Sequence, residues 1–383
     1  PAPAPAPAVD IIIPVYKGLS ETQRCLASVL RYAKTNATTT RIILINDASP
    51  EPALTLWLRE QVQLHPELML LENEYNLGFV RTVNRGMTQS TANDVLLLNS
   101  DTVVANNWLD RLRTAAYNDP KTGTVTPFSN NATICSYPRF CQENPLPPGY
   151  DTAALDALFA ATHPEATLEI PTGVGFCMYI RRDCLAEVGL FDAERFGKGY
   201  GEENDFCQRA MKAGWRNLHA LDTFVLHTGS VSFGTMKAAL EIEGANQLRT
   251  LHPTYEAQVH QFIQADPARP YREAIDLARL AANHLPRVLA VTHSLGGGTL
   301  RHIRELAEHL RERVTTLSMT PMANHNILIE WVAENEGMQK TFHWLTESRQ
   351  MVSWLRQTGV THVHYHHLLG LSSSMMRIHE YLG

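Results

Sequence analysis

The run Leu96-Leu97-Leu98-Asn99-Ser100-Asp101-Thr102-Val103-Val104 constrains this chain more than any other stretch. An apolar segment of strand length stops abruptly at polar residues that include one carboxylate. In an open α/β sheet, ligands gather beyond the carboxyl ends of the strands. A buried strand that delivers Asp101 there sets a hard oxygen ligand beside a phosphate-bearing molecule. The same letters also describe a strand followed by an Asp-containing turn, so the surrounding sequence has to decide.

Upstream, strands and helices alternate. Val9 to Val15 is a β-rich run closed by Pro14-Val15-Tyr16, and Leu26, Val29, Leu30 and Ala33 then fall at helical spacing. Arg41 to Asn46 is a second strand ending in Asp47-Ala48-Ser49-Pro50. A helix from Ala53 to Gln63 and a short strand from Leu68 to Leu71 follow. This alternation implies a mainly parallel sheet with crossover helices. Between the two strand-end aspartates lies Asn76-Leu77-Gly78-Phe79-Val80-Arg81, with Asn84 further along the helix it opens. A glycine before a helix start lets backbone N–H groups approach an anion. The spacing is neither a Walker loop nor a dinucleotide fingerprint, and Arg81 suits either a phosphate or solvent.

Composition narrows the classes. The 383 residues allow two domains, and 44% apolar with 19% charged residues is ordinary for a soluble globular protein. The net charge of -6 argues against a broad nucleic-acid surface. No apolar stretch reaches the ~18 residues of a membrane span. The opening Pro-Ala alternation is expected to be an extended interdomain linker with further chain upstream, and it has no signal-peptide character. Six cysteines without CxxC pairs point to reduced thiols and a cytoplasmic setting, although Cys135 and Cys141 are close enough in sequence to pair.

In order along the chain, IIIPVY, NDAS, NLGFVRTVN and LLLNSD resemble the nucleotide-sugar-binding half of family 2 glycosyltransferases, which have the GT-A fold. The resemblance implies that Pro14, Val15 and Tyr16 line the base pocket and that Asp47 contacts base or ribose. It implies that Asn76, Gly78 and Arg81 border the nucleotide. Asn99, Ser100 and Asp101 take the place of the DxD-type motif, with Asp101 coordinating Mn²⁺ or Mg²⁺ on the diphosphate. Asn99 replaces the first carboxylate and is assigned to hydrogen bonding with ribose or donor sugar.

The second half of that domain carries the acceptor chemistry. Pro127 to Pro138 is a polar, turn-rich loop expected over the donor sugar, and the Pro-rich Asn144 to Gly149 a mobile or surface segment. Asp151 to Ala161 reads as a helix. Thr172-Gly173-Val174-Gly175-Phe176 opens a strand to Ile180 and is similar to a family turn beneath the donor sugar. Gly199-Tyr200-Gly201-Glu202-Glu203-Asn204-Asp205 is the most acidic local cluster. Acids at a helix start often complement the dipole, but sugar transfer to an alcohol also needs a carboxylate to take the proton. The cluster resembles the family's E-D-x-D segment, which makes Glu203 the general base, in place of the usual Asp, with Glu202 as second candidate. His227 matches a family histidine that completes the metal site, and Ser230 and Ser232 are expected to border the phosphates. The implied reaction is direct displacement with inversion.

Helices from Gly234 to Leu251 and Tyr271 to His284 lead to a different pattern. Arg287 to Thr292 is a strand, Ser294 to Thr299 a Gly-rich loop, and Leu300, Ile303, Ala307 and Leu310 share a helix face. Strands at Val314 to Ser318, Ile327 to Val332 and His362 to His366, with a helix from Met351 to Thr358, resemble the start of a GT-B Rossmann-like half. The expected organisation is therefore a linker at 1–8, a GT-A domain at 9–265, a helical connection at 266–286 and a partial Rossmann-like α/β domain at 287–383 without catalysis of its own. His362, His364, His366 and His367 lack a neighbouring carboxylate or cysteine, so no metal site is expected there.

The leading expectation is an inverting, metal-dependent glycosyltransferase that uses a UDP- or dTDP-linked sugar and a glycan or lipid-linked glycan acceptor. It would act in bacterial surface polysaccharide synthesis, such as O-antigen, in the cytoplasm or at the inner face of the membrane. The alternative is a degenerate, non-catalytic domain that binds nucleotide or glycan as a scaffold. A sugar nucleotidyltransferase would want a Gly-rich, basic loop after the first strand, which Pro14-Val15-Tyr16-Lys17-Gly18 does not supply.

Overall fold

Ile11, Ile13, Ile42, Leu44, Leu96 and Leu98 belong to one buried cluster, and Ile12, Ile43, Ile45, Val95 and Leu97 to another. Successive residues of a strand point to opposite faces, so these three segments are strands buried on both sides, which is why they read as unbroken apolar runs. The computed structural model describes residues 7–197, 199–229, 237–333 and 337–382. The chain divides into two compact units, one from Pro1–Glu143 and Asp151–Ala268, the other from Asn144–Tyr150 and Arg269–Gly383.

The first unit begins β1 (Val9–Val15), α1 (Leu19–Ala33), β2 (Thr40–Asn46), α2 (Pro52–Leu64), β3 (Leu68–Glu72) and α3 (Phe79–Met87). It continues β4 (Asp94–Leu98), β5 (Thr102–Val103), α4 (Trp108–Asn118), β6 (Thr122–Phe128), α5 (Thr152–Thr162) and β7 (Thr167–Glu169). Then come β8 (Cys177–Ile180), α6 (Arg182–Val188), α7 (Glu202–Lys212), β9 (Arg216–Phe224), β10 (Leu226–His227), α8 (Lys237–Leu251) and α9 (Tyr255–Ala265).

Eight strands form one sheet in the order β3-β2-β1-β4-β8-β6-β9-β7. The β3-β2-β1-β4 half is parallel, whereas β8 runs antiparallel between β4 and β6. Register sets like against like: Ile11 faces Ile42 and Leu96, and Ile12 faces Ile43 and Leu97. Each such side chain contributes roughly 1.5–3 kcal/mol on burial. Pro14, which cannot donate a ladder bond, falls where pairing to β4 has already ended at Ile12. A separate two-stranded ribbon pairs β10 with β5. Burial pushes the Cys25 thiol up to about 12, so it behaves as core rather than as a nucleophile.

In the second unit, α10 (Arg269–Ala282), β11 (Arg287–Val291), α11 (Gly297–Leu310), β12 (Thr315–Pro321) and β13 (Asn326–Trp331) come first. They are followed by β14 (Gln339–His343), α12 (Trp344–Gln357), β15 (Val360–Tyr365) and α13 (Ile378–Leu382). The sheet order is β14-β13-β12-β11-β15. β12, β11 and β15 are parallel, but β12, β13 and β14 form an antiparallel meander rather than the strand–helix alternation expected of a Rossmann half. The cause is local: Asn324 and His325 both have positive φ, 57° and 58°, which makes a tight hairpin between β12 and β13. Tyr150 belongs to this unit, where the Arg279 guanidinium lies 5.6 Å from its ring centroid. No helix among the described residues is long and apolar enough to cross a membrane.

α3 rests on β1 and β2 through Gly86, where an added Cβ would lie 2.7 Å from Ile12 Cγ2 and 3.0 Å from Ile45 Cδ1. Overpacking a core costs about 1–3 kcal/mol, against about 1 kcal/mol of helix preference gained over glycine. Gly86→Ala should therefore lower stability by about 1 kcal/mol net, read as a lower urea midpoint by circular dichroism. An unchanged or higher midpoint would mean that α3 shifts freely on the sheet.

Candidate active site

β1 lies between β2 and β4, and the chain builds outward through β2 and β3 before crossing back to β4. The carboxyl ends of β1 and β4 therefore flank a topological switch point, the usual ligand crevice of such sheets. Val15 is buried there, with Pro14 and Tyr16 half-buried beside it. The Lys17 ammonium lies 5.5 Å from the Tyr16 ring centroid.

Asp47, at the end of β2, is the buried anchor of the next loop. One carboxylate oxygen accepts from Asn73 Nδ2 and Leu77 N, both at 2.7 Å. The other accepts from Gly78 N at 3.0 Å and Asn76 Nδ2 at 3.1 Å. Two donors on each oxygen use the carboxylate's acceptor capacity. This corrects the sequence reading in one respect: the Gly78 amide offered to an anion already serves Asp47. Gly78 itself has φ 80°, which a side chain would strain. Arg81, one turn into α3, is exposed and has no protein partner among the described residues.

Asp101 follows β4 and is met by His227 from β10. The β5–β10 ribbon sets His227 opposite Thr102, and Thr228 N donates to Asp101 O at 3.0 Å. His227 Nε2 lies 3.4 Å from Asp101 Oδ1, while Nδ1 lies 2.7 Å from the Asn131 carbonyl. A carbonyl only accepts, so Nδ1 carries a hydrogen and Nε2 is the nitrogen that faces the carboxylate. Two acceptors facing one another need a proton or a cation between them. Burial pushes the imidazole pKa down, but the hydrogen bond and charge of Asp101 outweigh it and the net shift is upward. The carboxylate oxygen suits Mn²⁺ or Mg²⁺, and an imidazole nitrogen beside it fits the softer Mn²⁺ better than Mg²⁺. Among the described residues no set of three His, Cys, Asp or Glu side chains is arranged to hold a metal, so further ligands would have to come from a diphosphate and water.

The acidic cluster enters α7 through Gly199, Tyr200 and Gly201, all with positive φ. Gly244 of α8 packs against this turn so closely that a Cβ there would lie 2.0 Å from Tyr200 O. Glu202 is buried with one carboxylate oxygen lacking a partner. Burial and then the neighbouring Glu203 charge raise its pKa well above the ordinary range. Glu203 is half-buried, and burial raises its carboxyl while backbone N–H groups at the helix start pull it back. Its side chain reaches the turn before β8, where a Cβ on Gly175 would lie 3.8 Å from Glu203 Cγ. The next residue, Phe176, stacks on His227 at 5.2 Å between centroids and accepts from Asn99 N at 2.8 Å. One turn thus touches Glu203, His227 and Asn99. Asp205 points elsewhere, to Arg209 Nε at 2.8 Å and buried His252 Nε2 at 2.7 Å.

Residues 10–189 match the family model described as Glycosyl transferase family 2. This segment is a family 2 glycosyltransferase domain. The chain is 30% identical over 195 residues to the N-acetylglucosaminyl-diphospho-decaprenol L-rhamnosyltransferase of Mycobacterium tuberculosis (strain CDC 1551 / Oshkosh), covering 45% of this chain and 62% of that protein. An uncharacterized glycosyltransferase of Haemophilus influenzae is 25% identical over 108 residues, 28% of this chain and 32% of that one. The chain thus spans less than two thirds of the length of these curated relatives. A crystal structure of GalNAc-T7 with UDP, GalNAc and Mn²⁺ aligns at 17% identity and a TM-score of 0.50, covering 71% of this chain and 55% of that one. That likeness concerns the fold, which is of the GT-A type.

In the glycosyltransferase fold, the structure brings Asn99, Asp101, His227 and Glu203 around one turn, and Pro14, Val15, Tyr16, Asn76, Gly78 and Arg81 to the β1–β2 side. Ser100 is buried beside Asp101. Ser230 and Ser232 lie outside the described residues. Glu203 and His227 lie beyond residue 189, where the family match ends, so geometry alone associates them with Asp101. Sequence reasoning missed Asn130 and Asn131, which hold His227, and His252 and Tyr255, which pack behind α7. Gly229 packs beside the Asn131 side chain, where a Cβ would lie 2.4 Å from Nδ2.

The raised Glu202 carboxyl has a signed consequence. Above the ordinary glutamate range the unfolded chain loses this proton while the folded chain keeps it, so stability falls as pH rises toward the folded value. Glu202→Gln should therefore raise Tm at pH 8, with the gain shrinking toward pH 4. A lower Tm at pH 8 would show Glu202 to be a needed anion.

Proposed function

We propose that this domain is an inverting, metal-dependent glycosyltransferase that moves a sugar from a nucleoside diphosphate to a hydroxyl of a glycan or lipid-linked glycan. The observation that carries the reading is the turn at Gly175 and Phe176: a Cβ on Gly175 would meet the Glu203 side chain at 3.8 Å, and Phe176 stacks on His227, itself 3.4 Å from Asp101. A carboxylate suited to accept a proton and an Asp–His pair suited to a cation thereby flank one turn beside the switch-point crevice.

In this reading Asp101 and His227 hold Mn²⁺ or Mg²⁺, with Pro14, Val15 and Tyr16 against the base and Arg81 free to meet phosphate. When bound, the cation supplies charge neutralisation to the departing diphosphate. Asp47 serves by fixing the Asn76–Gly78 loop, and Asn99 and Ser100 border ribose or donor sugar. Glu203 accepts the proton of the acceptor hydroxyl. The acceptor oxygen bonds to the anomeric carbon as the bond to the diphosphate oxygen breaks on the opposite face, so configuration inverts. The name of the mycobacterial relative, a rhamnosyltransferase for an N-acetylglucosaminyl-diphospho-decaprenol, supports a deoxyhexosyl donor and a lipid-linked acceptor in surface polysaccharide synthesis. Such an acceptor fits a site working at the inner face of a bacterial membrane.

The test is turnover of UDP- and dTDP-linked sugars with N-acetylglucosaminyl-diphospho-lipid, with Mn²⁺ or with EDTA. EDTA should abolish turnover, and Glu203→Gln should lower kcat by about 10²–10⁴-fold with nucleotide affinity retained. Because the Glu203 pKa is raised, the acid limb of kcat/KM should fall at a higher pH than for an ordinary carboxylate. Full activity of Glu203→Gln, or nucleotide binding without turnover of any donor, would overturn the reading and favour a scaffold.

A further inference from the structure

The loop after β6 grips His227 at three points. His227 N donates to Asn130 Oδ1 at 2.8 Å, and Asn130 Nδ2 donates back to His227 O at 3.0 Å. His227 Nδ1 donates to Asn131 O at 2.7 Å. Gly229, two residues past the histidine, packs beside the Asn131 side chain: a Cβ there would lie 2.4 Å from Asn131 Nδ2, and Gly229 has φ 70°. Phe176 closes one ring face, its plane 21° from that of the imidazole.

We propose that Asn130, Asn131 and Gly229 form a clamp that presets the Nδ1–H tautomer of His227 and aims its Nε2 at the Asp101 side of the crevice before any cation arrives. This rests on the reading of Asp101 and His227 as a cation site and adds Asn130 to it as a positioning residue. An unconstrained histidine side chain favours the Nε2–H form, which has no lone pair to offer a cation at that nitrogen. The Asn131 carbonyl reverses the preference, since only a hydrogen on Nδ1 satisfies it. A carbonyl alone would allow the ring to slide along the loop. The paired bonds of the buried Asn130 amide fix the backbone on both sides of the ring and remove that freedom. Partners of this kind typically change metal affinity by about 10–100-fold.

The experiment is ¹⁵N NMR of the histidine rings at alkaline pH, with His227 assigned through His227→Gln, followed by titration with Mn²⁺ in the absence and in the presence of UDP. Two variants act on different parts of the clamp. Asn130→Asp keeps the shape and the acceptor for His227 N–H but loses the donor to His227 O; Gly229→Ala crowds the Asn131 side chain and strains the backbone two residues past the histidine. Wild type should show the Nδ1–H tautomer and paramagnetic broadening of the His227 ring by Mn²⁺. Both variants should shift toward Nε2–H and need about 10–100-fold more Mn²⁺ for the same broadening. Variants with unchanged tautomer and Mn²⁺ response, beside a wild type that responds, would overturn the clamp alone. A wild-type His227 that Mn²⁺ leaves unbroadened even with UDP present would remove the cation from the proposed function, and this role with it.

Discussion

The association of His227 with Asp101 is the contact on which the site depends. It is made by a ribbon of two two-residue strands, β5 and β10, far apart in sequence. Such a short pairing cannot hold itself together, because two strands alone are marginal even when long. It persists because both ends are tied to larger bodies. β5 follows β4, which is buried on both faces, and β10 follows β9, which pairs with β6 and β7. The sheet meets the cost of ordering this long-range contact, and the crevice inherits a carboxylate and an imidazole already in place.

The strand-end chemistry of the first unit was legible because β1, β2 and β4 are buried on both sides. A strand in that setting has to be continuously apolar, and the chain must turn polar where it leaves the sheet. Asn46-Asp47 and Asn99-Ser100-Asp101 are those exits. Glu203 and His227 were legible only through resemblance, since an acid at a helix start and a lone histidine each have commoner explanations. The Asn130 and Asn131 bonds to His227 were not legible at all. They join loops that only the finished sheet brings together, and an asparagine in a loop carries no sign of its partner. In the second unit the meander was hidden because Asn324-His325 lacks the glycine that usually marks a hairpin.

The acids near the motifs also divide by what occupies them. Asp47 has two donors on each oxygen, and Asp205 is held between Arg209 and His252. Both are spent on architecture: one fixes the loop opening α3, the other ties α7 to the chain after α8. Glu202 is buried too deeply to stay charged at low cost. Asp101 and Glu203 remain, each partly accessible and each beside the Gly175–Phe176 turn or its stacked histidine.

That division bears on Asn99. Loss of the first carboxylate of a DxD-type motif would matter most if the cation needed two aspartates from one strand end. In the proposed reading the second protein donor is His227, delivered by a different strand and held by its own loop. An amide at position 99, whose backbone N–H is tied to Phe176, costs the site a charge but not its geometry. With one carboxylate fewer, a cation held as proposed would draw more of its coordination from the diphosphate that arrives with it. In the proposed reading, such a site would favour the loaded nucleotide over the bare ion.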